Sequence, residues 1–121
     1  MKVTEIAFTG YPITNLPRAR KFYEEVLGLS PSWVNGTDEQ GWVEYQIGSS
    51  VLAITNMAQE WTPSANGPSA ALEMEDFGQT MQELRANGTT MLIEPFETPV
   101  CHMAVIADPD GNSLIIHKRK S

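Results

Sequence analysis

The chain is 121 residues long, 41% hydrophobic and 19% charged, the composition of a globular protein with room for one ordinary core. Its formal charge of −7 argues against nucleic acid as a partner, because phosphate binding wants a basic patch, and it suits a cationic or neutral small molecule. No apolar run approaches the roughly 18 residues that cross a bilayer, "MKVTEIAFTGYP" has no long apolar stretch or cleavage site, and the lone Cys101 excludes an internal disulfide or a cysteine-based zinc site, so a cytoplasmic location is expected, no membrane partner, and a small buried role for Cys101.

In chain order, "KVTEIAFTG" alternates apolar and polar residues as a first strand does. Asn15 is a good N-cap and Pro17 is tolerated in the first turn; Leu16, Ala19, Phe22, Tyr23, Val26 and Leu27 then recur at helical spacing until Gly28, which predicts a helix over 15–28. Tyr11, beside Pro12, is expected to pack where the chain turns toward that helix. "SPSWVNG", "GWVEYQIG" and "SVLAITN" read as three strands. "MAQEWTPSANGP" is rich in turn formers and places a linker over 57–67, where Trp61 either caps a cavity or covers core, cover being the commoner use of an aromatic.

The same order then returns. "PSAALEMED" is a strand, and a second helix over 76–88 is capped by Asp76, with Gln79 as its capping-box partner, Phe77, Met81 and Leu84 as its stripe and Gly88 as its close. "TTMLIEP", "VCHMAVIAD" and "NSLIIHKR" follow, the last two joined by the turn "DPDG". The reading is an α+β fold of two βαβββ modules, 1–56 and 68–121, within a single domain spanning 1–121.

A helix ending in "FYEEVLGL" and a "DPDGNSL" before the final strand, in this order and over nearly the whole chain, resemble the vicinal oxygen chelate superfamily. That superfamily includes glyoxalase I, extradiol dioxygenases, fosfomycin-resistance enzymes and bleomycin-binding proteins. The resemblance implies glyoxalase-like mixed sheets that curve around a central cavity and a homodimer. In metal-dependent members it also implies four ligands, from the first and last strands of each module, around an ion with open positions for substrate oxygens. Carried onto this sequence those ligand positions fall on Phe8, near Ala53, on Ser69 and on Ile115, and none of these is a normal donor. A slip of one residue reaches only Ala7, Thr9, Leu52, Ile54, Pro68, Ala70, Leu114 or Ile116. No metal and no cofactor are therefore expected.

Other side chains are candidates for the cavity. Strand alternation puts His117 on the face of Ile115, about 6.6 Å further along, where it either meets solvent, the commoner end for a terminal-strand histidine, or lines the cavity rim. In "GWVEYQIG", Trp42, Glu44 and Gln46 share one face and Val43, Tyr45 and Ile47 the other. Glu44 is an ordinary surface acid if its face meets water, and a base or cation partner if it faces the cavity. Glu73 either joins it or ends its strand in solvent, and His102 reads as a structural histidine.

The leading expectation is a metal-free small-molecule binding protein of the glyoxalase and bleomycin-resistance type, its cavity lined by Phe8, Glu44, Ser69, Ile115 and His117. No catalytic residue is assigned. The alternative is a lyase or isomerase of the same superfamily, with Glu44 as base and His117 as acid, or with a metal held by the shifted set Glu44, Glu73, His102 and His117.

Overall fold

The computed structural model describes all residues, Met1–Ser121, as two compact units, Met1–Pro63 and Ser64–Ser121. Each carries one helical segment and one four-stranded mixed sheet, an α+β architecture with no closed barrel. No helix is long and apolar enough to cross a membrane.

The first unit runs β1 (Thr9–Pro12), α1 (Leu16–Lys21), β2 (Pro31–Gly36), β3 (Gly41–Ile47) and β4 (Ser50–Thr55). Its sheet order is β1-β4-β3-β2, with β1 parallel to β4 and the other pairs antiparallel. The strand expected over "KVTEIAFTG" is shorter and later than its alternation suggests. Only Thr9–Pro12 find a ladder, against Leu52 to Thr55, and the residues before Thr9 have no strand to pair with.

Asn15 caps α1 as its residue type predicts, its side-chain oxygen accepting from the Arg18 N–H at 2.9 Å. The helix continues as a wide π-helical turn, Phe22–Val26, in which the Leu27 N–H reaches the Phe22 carbonyl, and Gly28 (φ 75) ends it in the left-handed conformation that glycine adopts without strain. Leu16, Ala19, Phe22 and Tyr23 are buried on the helix, as are Tyr11, Val43, Tyr45, Leu52 and Ile54 on the sheet. Tyr23 stacks on Tyr45 with ring centroids 6.0 Å apart, and the Tyr45 hydroxyl donates to Glu24 at 2.9 Å. Arg20 holds the same carboxylate at 2.7 Å. Burial, with the Glu24 carboxylate beside it, drives the Tyr45 phenol far above its ordinary pKa, so it stays a neutral donor.

The second unit repeats the plan with β5 (Ala70–Glu73), α2 (Phe77–Ala86), β6 (Met91–Glu97), β7 (Cys101–Ala107) and β8 (Ser113–Arg119), in the sheet order β5-β8-β7-β6. Asp76 caps α2 by accepting from the Gln79 N–H at 3.0 Å, but the capping box is only half made, since the Gln79 side chain turns along the helix to Glu83 instead. Met81 and Leu84 are buried on the helix, and Ala104, Ile106, Leu114 and Ile116 on the strands. Cys101 is buried, as its size and type suggest.

The "DPDGN" turn owes its sequence to a small hydrogen-bonded knot. Asp108, only 4% exposed, accepts from the Asp110 and Asn112 N–H groups at 2.9 and 3.0 Å and from the Asn112 side-chain amide at 2.9 Å. Asn112 in turn accepts from the Ser64 N–H at 3.0 Å. Replacing Asp108 by Ala strips several buried donors of their acceptor, so Asp108→Ala is expected to cost about 2–3 kcal/mol in urea unfolding, against about 1 kcal/mol for the cap variant Asp76→Ala. Equal losses would contradict this account of the turn.

Candidate functional site

Val43 and Tyr45 are fully buried on the helix side of the first sheet, and the period of two along β3 sends Trp42, Glu44 and Gln46 to the opposite face. The register extends this face across the sheet. Trp33 lies opposite Glu44 and Asn35 opposite Trp42 on β2, Ala53 and Thr55 sit opposite Glu44 and Trp42 on β4, and Gly10 is opposite Ala53 on β1.

Aromatic rings gather on that face. Phe8 meets Trp42 edge to face, with centroids 5.1 Å apart and planes at 88°. Trp61, in the segment after β4, lies against Gly10 so closely that a Cβ on that residue would stand 2.6 Å from the indole Cη2 and 3.3 Å from the Phe8 ring. Trp61 is thus not the core cover expected of it. With Trp33 and Trp42 it lines a pocket of about 370 Å³, together with Asn35, Thr55, Met57 and Ala58. All the tryptophans of the chain meet there. Glu44 lies outside that lining and reaches it through Trp42, its carboxylate accepting from the Trp42 indole N–H at 2.8 Å. Glu44 is half-buried on the face it shares with Trp42.

In the second unit Ile115 and His117 share the open face of β8, opposite Ala71 and Glu73 on β5 and Val105 and Met103 on β7. His117 is half-buried on this face. Its side chain is 22% exposed, and Nδ1 lies 2.6 Å from the Glu73 carboxylate. The other Glu73 oxygen accepts from the Arg119 backbone N–H at 2.8 Å. These contacts, the Arg119 N–H first and then His117, hold the Glu73 carboxyl below the usual carboxylate range. Ser69 is half-buried and donates its hydroxyl to the Ser113 carbonyl at 2.9 Å, a tie to β8. Phe8 and Glu44 thus belong together in the first unit, and Ser69, Ile115 and His117 all lie at β8 in the second.

The donor positions do not fit a metal. Phe8 meets Trp42 edge to face and has no donor, Ala53 and Ile115 carry none either, and the Ser69 hydroxyl is engaged. The shifted set also fails within the second unit, because His102 pairs with Lys118 and Met103 with His117 in the β7–β8 register, which puts the two histidines on opposite faces. His102 instead lies over Phe77, centroids 5.7 Å apart, with Glu97 at 4.0 Å. No group of three or more His, Cys, Asp or Glu side chains is gathered where it would hold an ion.

Sequence reasoning missed the convergence of the tryptophans and the Glu73–His117 pair. The face-sharing of Trp42 with Glu44 was legible, but Trp61 comes from a loop whose path no periodicity encodes, and the parallel pairing of β5 with β8 depends on long-range register.

Each unit runs β-α-β-β-β and has an open sheet face bearing polar groups among apolar ones. The chain belongs to the Glyoxalase/Bleomycin resistance protein/Dioxygenase superfamily, whose family model matches residues 5–116. Among solved structures it is similar to TnmS3, an antibiotic binding protein from Streptomyces sp. CB03234, at 19% identity and a TM-score of 0.81, with 99% of each chain covered. It is similar also to lactoylglutathione lyase from Agrobacterium tumefaciens, at 20% identity and a TM-score of 0.71, covering 98% of this chain and 96% of that one. An integron cassette protein of V. cholerae matches at 19% identity and a TM-score of 0.71, covering 98% and 97%. At these identities the likeness is one of fold. None of the curated proteins matches the chain.

The Glu73 contacts have a signed consequence for pH. A carboxyl whose folded pKa lies below its ordinary value of 4.5 lends stability that is fully present above that value and lost as pH falls through the lower folded one. Glu97, held low by Lys120 at 2.7 Å, shares this acid limb. Urea midpoints measured across the acid range should therefore fall less steeply in Glu73→Gln than in the parent, with the two curves parallel near neutrality. Identical acid limbs would show that the pair is not formed in solution.

Proposed function

We propose that the protein is a cytoplasmic, homodimeric binding protein that holds a planar, cationic small molecule on the aromatic face of its first unit and does not transform it. The observation that carries this reading is the meeting of Trp33, Trp42 and Trp61 around one pocket, with the Glu44 carboxylate fixed by the Trp42 indole. Flat aromatic walls favour a flat ligand by stacking, and a carboxylate beside indole faces favours a cation over a neutral ring. The formal charge of −7 acts in the same direction at longer range. The fold is one that an antibiotic binding protein also has, at 19% identity.

The lyase or isomerase reading, with Glu44 as base and His117 as acid, has less behind it. The contacts join Glu44 to Trp42 and His117 to Glu73, and none joins Glu44 to His117 as an acid–base couple.

Titration calorimetry with ethidium as a planar cation, beside an uncharged planar ring of similar size, tests the proposal. Trp42→Ala is expected to weaken ethidium binding about tenfold or more, equivalent to roughly 1.4 kcal/mol, and Glu44→Gln to weaken ethidium while leaving the neutral ring unchanged. Binding of ethidium that is indifferent to both substitutions would sink the assignment.

The metal-free and dimeric parts are read on one purified sample. Plasma emission should find no stoichiometric Ni, Zn, Mn or Fe, chelator should leave the melting temperature unchanged, and sedimentation should give about twice the chain mass of 13.4 kDa. One equivalent of metal whose removal lowers the melting temperature would overturn the first, and a species of single-chain mass the second.

A further inference from the structure

The open face of the second sheet holds a polar pair that the packing does not need. Ala104, Ile106, Leu114 and Ile116 fill the helix side of β7 and β8, so His117, alternating with them, contributes nothing to that core. Its neighbours on the open face are Glu73 on β5 and Met103 on β7, with Ile115 one step along β8.

The pair is held by register and hydrogen bonds. The parallel β5–β8 register sets Glu73 beside His117, the 2.6 Å contact joins Oε1 to Nδ1, and the Arg119 N–H anchors Oε2 at 2.8 Å. An imidazole whose Nδ1 faces a carboxylate carries its proton there and presents the lone pair of Nε2 outward. Nε2 of His117 makes no hydrogen bond. The charged groups around it are few: Glu73 from β5, and on β8 Arg119, whose guanidinium lies 3.8 Å from Oε1. From β7 comes the uncharged Met103, with the buried Cys101 next on that face, and from β6 comes Phe96 opposite Met103.

We propose that Glu73 and His117 form a metal-independent proton-accepting dyad for an acidic hydroxyl, a phenol or an enol, carried on an apolar skeleton. The ligand O–H bond breaks, an Nε2–H bond forms, and the resulting imidazolium remains paired with the Glu73 carboxylate while the ligand is held as its anion beside it. Ile115, Met103 and Phe96 supply the apolar surroundings that suit such a skeleton. The inference is carried by the second unit alone and does not rest on the tryptophan pocket.

The probe is p-nitrophenol, whose neutral and anionic forms absorb at different wavelengths, added at a pH where the His117 Cε1–H signal of the free protein stands at its neutral position, with the phenolate band read as the increase over the probe alone. With the parent protein the phenolate band should grow and saturate, and the His117 Cε1–H signal should move to its imidazolium position in step. Glu73→Gln, which removes the charge that stabilises the imidazolium, should reduce the bound phenolate about tenfold, and His117→Gln should abolish the band. Three results would each overturn the proposal: no binding of p-nitrophenol, binding without a phenolate band, or a band that persists in His117→Gln. Should His117→Gln fail to fold, the parent's Cε1–H signal decides, because a phenolate band that grows while that signal stays at its neutral position also overturns it.

Discussion

The site in the first unit depends on the strict alternation of β3. Val43 and Tyr45 are drawn wholly into the core under α1, where Tyr45 stacks on Tyr23 and donates to Glu24. A strand cannot bury two alternate residues on one side without presenting those between them on the other, so Trp42 and Glu44 have no choice of face. Burying Tyr45 with its hydroxyl satisfied is favourable, whereas a slip of one residue would expose that ring and bury the Glu44 carboxylate unpaired, which costs several kcal/mol. The core therefore enforces the site, and the ladder carries the decision to Trp33 on β2 and to Gly10 on β1.

Glycine completes the arrangement at one point. Any side chain at residue 10 would collide with the Trp61 indole, so the absence of a Cβ lets a loop residue lie flat on the sheet beside Phe8. A loop aromatic that rests on a rigid strand keeps little freedom to lose when a ligand arrives, which is the physical meaning of a preformed wall. The second sheet presents a different chemistry on the same scaffold, with an anchored carboxylate and imidazole among Ile115, Met103 and Phe96 instead of indoles around a pocket. One fold thus offers two faces of unlike character, in keeping with a superfamily whose name spans an enzyme, a resistance protein and a dioxygenase.

Much of the fold was legible from residues alone. Asn15 and Asp76 cap the helices where their side-chain oxygens said they would, and "DPDGN" makes its turn because Asp108 and Asn112 bond the local backbone. Such signals are local, and local chemistry is what a sequence displays most directly. The first strand was drawn too long because alternation in "KVTEIAFTG" cannot say how many residues find a partner. The setting of Trp61 and the pairing of His117 with Glu73 were not legible for the opposite reason: one is placed by the course of an irregular segment and the other by a partner 44 residues away. The face bearing Glu44 was readable, but not the indole that would hold it, since Trp42 and Glu44 are neighbours on the face only once the strand exists.

The central claim is that the aromatic face of the first unit is a ligand surface, and the indole N–H signals of the protein report on it directly. On titration with a planar aromatic cation, nuclear magnetic resonance should show all three indole signals, from Trp33, Trp42 and Trp61, shifting along one saturable curve. The Trp42 signal should move most, because its N–H is bonded to the Glu44 carboxylate that the cation approaches. Saturable binding that leaves the three indole signals where they stand in the free protein would contradict the account.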